Sequence, residues 1–159
     1  MKKVLGLSIA CLFVLGLAMS AFAAWDADTI KKCAEWKDMA AAKQEMPKEL
    51  KGSKVITTAE LKKWMDQGKK FILLDNRVKD QYDAEKIKGA KWLLADHLLA
   101  DPKLLDQYKK DDVIVNYCNG VLCWRSPAVV EMMVKSGFKN VYWYREGLPE
   151  WKKLKYPTE

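Results

Sequence analysis

Two cysteines and an arginine, Cys118, Cys123 and Arg125, lie within one eight-residue stretch in the second half of the chain. A cysteine thiolate is a strong nucleophile, and a neighbouring positive charge favours the thiolate over the thiol. The guanidinium of Arg125 is a permanent charge of this kind, and it can also bind an oxyanion through two parallel hydrogen bonds. The stretch therefore predicts thiol or sulfur chemistry, with Cys118 as the working nucleophile.

The residues on either side of this stretch predict a loop between a strand and a helix. Residues 113–117 form an apolar run typical of a buried strand, and Cys118 follows it directly. Ser126 is a favoured N-cap and Pro127 a favoured first helical residue, so a helix should begin there. Backbone N–H groups and the positive end of that helix can converge on a sulfur anion in the loop. The alternative is that Cys118 is a buried structural cysteine.

Strand and helix patterns alternate from residue 55 to the end of the chain. The predicted elements are strands at 55–56, 71–75, 90–93, 113–117 and 141–144, and helices at 57–67, 79–85, 127–136 and from 147 onward. Such alternation predicts an α/β fold of three layers, with a central parallel sheet of about five strands and helices on both faces. In open sheets of this kind the active crevice lies beyond the carboxyl ends of the strands, which is where Cys118 falls.

A helical segment is predicted in front of this domain. We place an N-terminal helical extension at residues 24–52 and the main domain at residues 53–159. The apolar side of the extension is expected to carry Ile30, Cys33 and Ala34, with Trp36 and Met39 as further members.

The first residues have the pattern of an export signal. Two lysines precede an almost wholly apolar run over residues 4–20, and small residues stand at positions 21 and 23. This predicts a signal peptide over residues 1–23, cleaved before Ala24, and a location in the periplasm or elsewhere outside the cytoplasm. The alternative is an uncleaved N-terminal membrane anchor, because the apolar run approaches the length that spans a bilayer.

Composition and charge narrow the function further. Half of the residues are hydrophobic, and the formal net charge of +7 is spread among acids rather than massed in one block. We expect no nucleic-acid partner, because the sequence has no basic stripe with aromatic platforms. No histidine and cysteine spacing suggests a metal site. An odd number of cysteines beyond the export signal leaves at least one free thiol or a bond to another chain.

Six short segments occur in the order found in the rhodanese (sulfurtransferase) domain family, and each resembles its counterpart there. They are residues 73–77, 82–90, 115–118, 125–128, 137–141 and 147–151. The resemblance implies that Cys118 is the catalytic cysteine and that Asp75 and Arg77 pair near the loop and support it. It also implies an active-site loop made of Asn119, Gly120, Val121, Leu122, Cys123, Trp124 and Arg125.

The resemblance implies sulfur transfer by double displacement. The thiolate of Cys118 takes sulfane sulfur from a small donor such as thiosulfate and holds it as a covalent persulfide, with no other cofactor. A thiophilic acceptor, such as a protein thiol, then removes the sulfur.

The loop departs from the common rhodanese pattern. Six residues lie between Cys118 and Arg125, where the family usually has four, and the Cys-x4-Cys-Trp form resembles an exported subgroup. Cys123 is expected to resolve the Cys118 persulfide, and the alternative is that it only fills apolar space. Two other functions remain open: a thiol-redox or sulfur-carrier protein that uses the cysteine pair, and a catalytically silent binding module.

Overall fold

The computed structural model describes residues 25–159, so the predicted signal peptide lies outside the described residues. The strands are β1 Lys54–Val55, β2 Ile72–Asp75, β3 Lys91–Trp92, β4 Val113–Tyr117 and β5 Asn140–Tyr144. The helices are α1 Ala27–Ala41, α2 Thr58–Asp66, α3 Lys79–Ala84, α4 Ala95–Ala100, α5 Arg125–Lys135 and α6 Gly147–Lys153, with a 3-10 turn at Pro102–Leu105. Within the described residues, no helix is both long and apolar enough to span a bilayer.

The five strands form one parallel sheet in the order β1-β5-β4-β2-β3. This confirms the predicted α/β fold with a central parallel sheet and a preceding N-terminal helix. β4 lies in the middle, and its last residue, Tyr117, is in register with Asp75 of β2 and with Tyr144 of β5. The carboxyl ends of these three strands therefore meet at one edge, where the chain leaves β4 as Cys118.

The sheet separates two apolar cores, as the alternation of side chains along each strand requires. In β4, Ile114 packs in the core that α1, α4 and α5 cover, whereas Val115 and Tyr117 pack in the core that α2 and α6 cover. All three side chains are fully buried. Burial on both faces explains why this strand is apolar in the sequence apart from Asn116, which is itself fully buried.

The N-terminal extension is helical only in its first half. α1 ends at Ala41, and the chain then runs without regular structure to β1. The predicted apolar side was partly right: Cys33 and Trp36 are buried and Met39 is half-buried, but Ile30 and Ala34 are exposed and Thr29 is buried instead. The buried stripe continues to Trp36, so it follows the helical spacing of three and four residues from Thr29 rather than from Ile30.

The first residues of α2 and α5 test the two N-caps that the sequence predicted. Thr57 caps α2 as predicted, because its side chain accepts a hydrogen bond from the backbone N–H of Glu60. The prediction that Ser126 is the N-cap of α5 was wrong, since α5 begins at Arg125. The Ser126 hydroxyl instead accepts a hydrogen bond from Nε1 of Trp143 at 3.0 Å, so a buried partner on β5 outweighs its capping preference.

Candidate active site

The candidate site is the loop that joins β4 to α5. Cys118 follows β4 directly, and only 1% of its surface is exposed. Its carbonyl accepts a hydrogen bond from the backbone N–H of Leu148 at 3.0 Å, and the carbonyl of Tyr117 accepts one from Asn76 at 2.9 Å. Cys118 is therefore fixed between the ends of β4 and β2 and the start of α6, beyond the carboxyl ends of the strands as expected.

The two loop cysteines are joined in a disulfide. The Cα atoms of Cys118 and Cys123 are 6.2 Å apart, within the ordinary range for such a bond. Gly120 makes the turn between them with a φ of +91°. The turn is closed by the backbone N–H of Cys123, which donates to the carbonyl of Gly120 at 3.0 Å. The sequence left this bond undecided, and the structure shows the pair in its oxidised form.

The two sulfur-bearing residues differ in their access to solvent. Cys118 is buried, whereas Cys123 is half-buried and lines an open cavity of about 240 Å³. Leu122, at the tip of the loop, is 42% exposed beside it. The lining of this cavity is Ala40, Asn119, Leu122, Cys123, Trp124 and Arg125.

A second cavity, of about 390 Å³, lies against the same loop and the start of α6. Its charged lining residues are Glu146, Glu150 and Lys153, and the ammonium of Lys153 pairs with the carboxylate of Glu150 at 3.2 Å. The other lining residues are Asn119, Gly120, Val121, Leu122 and Pro149. Every loop residue from 119 to 125 that the sequence singled out therefore lines one or both of these cavities.

Arg125 is held by another side chain rather than left free over the loop. Its Nε donates to the carboxylate of Asp96 on α4 at 2.8 Å, and its guanidinium lies 5.1 Å from the ring centre of Trp124. About a quarter of the side chain, 27%, stays exposed. Arg125 therefore contributes positive charge to the mouth of the smaller cavity while its geometry is set by α4.

Asp75 and Arg77 form a buried network beneath the loop. The carboxylate of Asp75 accepts hydrogen bonds from the guanidinium of Arg77, at 2.6 to 3.0 Å, and from the hydroxyl of Tyr117 at 2.7 Å. Burial lowers the pKa of Arg77, but the hydrogen bonds and charge of Asp75 outweigh this and raise it overall. Burial and then the charge of Asp75 raise the pKa of Tyr117, so its hydroxyl stays protonated and donates. The network ties β2 to the last residue before Cys118.

The N-terminal extension also supports the loop, a contact that the sequence did not predict. The backbone N–H of Met46 donates to the carbonyl of Val121 at 2.8 Å, and the ammonium of Lys37 lies 4.4 Å from the ring centre of Trp124. Arg145 secures the same segment by donating to the carbonyls of Met46 and Pro47 at 2.7 and 2.9 Å. No local pattern marks these residues, because their roles depend on how the extension packs on the domain.

Gly147, at the start of α6, makes the closest backbone approach to the loop. Its φ is +66°, and a Cβ atom at this position would overlap the carbonyl of Cys118 and the backbone nitrogen of Gly120. Only glycine therefore fits here without moving the loop. The neighbouring Glu146 is turned towards α2, where its carboxylate accepts hydrogen bonds from the backbone N–H and the hydroxyl of Thr58.

Cys33 is not part of this site. It lies on the inner side of α1, is 2% exposed and is the free cysteine among the described residues. Burial raises the pKa of its thiol to about 11, so the thiol remains neutral and unreactive near neutral pH. The loop pair and Cys33 are therefore chemically distinct.

Comparison with known proteins agrees with the fold. The model of the rhodanese-like domain family matches residues 57–154, well over half of the chain. The chain belongs to this family, and the N-terminal extension precedes the matched region.

A curated protein similar to this chain is named as a sulfurtransferase. The chain is 33% identical over 108 residues to the probable adenylyltransferase/sulfurtransferase MoeZ of Mycobacterium tuberculosis, covering 67% of this chain and 26% of that protein. The chain thus spans about a quarter of the length of that curated relative.

Two solved structures similar to this chain are informative. The solution structure of a rhodanese-like domain from Anabaena sp. is 27% identical with a TM-score of 0.57, covering 69% of this chain and 80% of that one. A variant of EanB that carries a cysteine persulfide, in a tetrahedral intermediate state with ergothioneine, is 26% identical with a TM-score of 0.54. That match covers 65% of this chain and 27% of the EanB chain.

Proposed function

We propose that this protein is an exported sulfurtransferase that carries sulfane sulfur on Cys118. The observation that carries the proposal is the position of Cys118, at the carboxyl end of the central strand in a domain of the rhodanese-like family. Three observations support the proposal. The loop lines two cavities, a buried network lies beneath it, and the similar proteins include one named as a sulfurtransferase and one whose structure contains a cysteine persulfide.

The reaction begins from the reduced loop. The Cys118 thiolate attacks the outer sulfur of a donor such as thiosulfate, the S–S bond of the donor breaks, and sulfite leaves with its electron pair. The product is a Cys118 persulfide in place of the thiolate. An acceptor thiolate or cyanide then attacks the outer sulfur and regenerates the Cys118 thiolate.

The Cys118 persulfide also reacts within the protein, with Cys123. The Cys123 thiolate attacks the inner sulfur of the persulfide, which expels hydrosulfide and forms the Cys118–Cys123 disulfide. The presence of that disulfide favours this resolving role over simple filling of apolar space. The variant Cys123→Ala should therefore hold the persulfide longer and release less sulfide than the wild type under non-reducing conditions, whereas equal release would leave Cys123 without a resolving role.

The same disulfide supports a second candidate function. A reversible cysteine pair can serve as a thiol-redox centre or sulfur carrier with little turnover of thiosulfate. The two functions differ in their requirement for a sulfur donor. Reduced protein that exchanges with dithiols but forms no thiocyanate from thiosulfate and cyanide would favour the redox function.

The test is thiocyanate release by reduced protein supplied with thiosulfate and cyanide. Wild type and the matched control Cys33→Ser should be active, because Cys33 is a buried free cysteine on α1 and is not part of the loop. Cys118→Ser should lose essentially all activity, because the nucleophile that bears the sulfur is gone. Equal rates for wild type and Cys118→Ser would reject the proposal.

Export is the remaining part of the proposal. Its support is the charged, apolar and small-residue pattern of residues 1–23. Cell fractionation with N-terminal sequencing should find the protein outside the cytoplasm, beginning at Ala24. A full-length chain in the membrane fraction would instead show that the segment is retained as an anchor.

A further inference from the structure

The two cysteines of the loop disulfide differ in how much of each residue is open to an attacking molecule. Cys118 is closed in by β4, by the start of α6 and by the loop itself, and 1% of it is exposed. Cys123 is half-buried and lines the cavity of about 240 Å³, and Cys118 is not among the residues of that cavity. Thiol–disulfide exchange requires direct contact between the attacking thiolate and one sulfur, so access selects which bond forms.

We propose that an external dithiol reduces this protein by attacking Cys123 through that cavity and that Cys118 is the sulfur released. The inference rests on the proposed function, because the thiolate set free is the one that takes up sulfane sulfur. Cys123 thereby acquires a second role as the entry point for reductant, and the buried Cys118 never becomes part of a mixed disulfide.

The exchange balances in two steps. A thiolate of the reductant forms a bond to Sγ of Cys123, the Cys118–Cys123 bond breaks, and its electron pair goes to Cys118 as a thiolate. The second thiol of the reductant, as its thiolate, then attacks the reductant sulfur of the mixed disulfide and releases the Cys123 thiolate. The dithiol leaves as a disulfide, having given two electrons to the protein.

The residues that line the cavity suit an incoming thiolate whose adjoining carbon atoms are apolar. Arg125, which pairs with Asp96 at 2.8 Å, is part of the lining, and the ammonium of Lys37 lies 4.4 Å from the ring centre of Trp124, another lining residue. A positive environment favours the reactive thiolate form of an incoming thiol. Ala40 and Leu122 offer apolar surface to the carbon atoms that carry it.

The first test identifies the sulfur that is attacked. Mature protein purified without reductant is exposed briefly to glutathione, stopped with acid and alkylated with N-ethylmaleimide, and its peptides are mapped by mass spectrometry. Glutathione should be found on Cys123 and the alkyl label on Cys118, with at least about tenfold preference for this arrangement because access limits the exchange rate. Equal labelling, or glutathione mainly on Cys118, overturns the proposal.

The second test blocks the route. Ala40→Phe places a bulky ring in the cavity, whereas Ala41→Phe makes the same change at the exposed neighbouring position, which is not part of the cavity lining. Reduction by glutathione should be slowed about fivefold or more in Ala40→Phe and unchanged in Ala41→Phe, since the rate depends on access to the sulfur. Equal rates in the two variants would overturn entry through this cavity.

Neither test uses a sulfur donor or measures turnover. Reaction at Cys123 in a protein that makes no thiocyanate would uphold the entry route and reject sulfur transfer. Activity that requires Cys118, combined with glutathione on Cys118, would reject the entry route and leave sulfur transfer in place.

Discussion

At the scale of single residues, the site depends on a buried charge that the loop itself does not contain. Asp75 is fully buried and binds both Arg77 and Tyr117. A buried ion pair is strongly destabilising to break, because the remaining partner keeps its charge without compensation. The residue just before Cys118 is therefore positioned by the carboxylate on the neighbouring strand.

Asp75→Asn should destabilise the protein by roughly 3–5 kcal/mol, since it leaves the buried guanidinium of Arg77 without a counter-charge. The matched control is Asp83→Asn, which removes a carboxylate from the exposed pair with Lys79 and should change stability by less than about 0.5 kcal/mol. Urea unfolding of the two variants measures the difference. Similar losses of unfolding free energy in both variants would show that the buried network adds no more stability than an exposed ion pair.

The residue scale also shows what the sequence could and could not provide. The place of Cys118 could be predicted, because an apolar run marks the strand and the cysteine follows its last residue. The disulfide could not, since its formation depends on how the turn at Gly120 brings two Cα atoms together. The partner of Arg125 also stayed hidden, because Asp96 lies 29 residues away on another helix.

At the scale of elements, the start of α6 fixes the position of the loop. Leu148 donates to the carbonyl of Cys118, and the backbone of Gly147 lies where a side chain would collide with the loop. The sequence predicted a helix beginning at Gly147 but not this close approach, which only the packing of α6 on the sheet creates.

Gly147→Ala should displace the loop, lower the rate of thiocyanate formation and destabilise the protein by more than strain alone. The matched control is Gly68→Ala, because Gly68 has a similar positive φ of +64° and nothing near its would-be Cβ. Positive-φ strain alone should cost Gly68→Ala about 1 kcal/mol. Urea unfolding and the thiocyanate assay compare the two variants. Equal losses of stability and activity in both would contradict the claim that α6 fixes the position of the loop.

At the scale of the whole molecule, the N-terminal extension completes both the core and the site. Cys33, Trp36, Met46 and Leu50 are buried in the same core as α5, and Lys32 of α1 pairs with the buried Glu131 of α5 at 2.8 Å. The sequence predicted that a helix precedes the domain. It could not predict where the helix docks, because half of the extension is irregular and its contacts are made at long range.

Removal of residues 24–52 should weaken the fold and loosen the loop together. Burying each large apolar side chain contributes roughly 1.5–3 kcal/mol, so losing the extension should lower the free energy of unfolding by about 5 kcal/mol or more. Urea unfolding measures the loss, and faster hydrogen exchange at Cys123 would report the looser loop. A shortened protein with unchanged stability and activity would show that the extension is dispensable.

The most direct test of the central claim is the mass of the reduced protein after exposure to thiosulfate. Wild type should gain one sulfur atom, peptide mapping should locate it on Cys118, and cyanide should remove it. Cys118→Ser should gain none, and Cys123→Ala should gain one that persists longer than in the wild type. A sulfur found on Cys123 or Cys33, or no gain in reduced Cys123→Ala, which cannot resolve the persulfide, would contradict the assignment of Cys118 as the sulfur carrier.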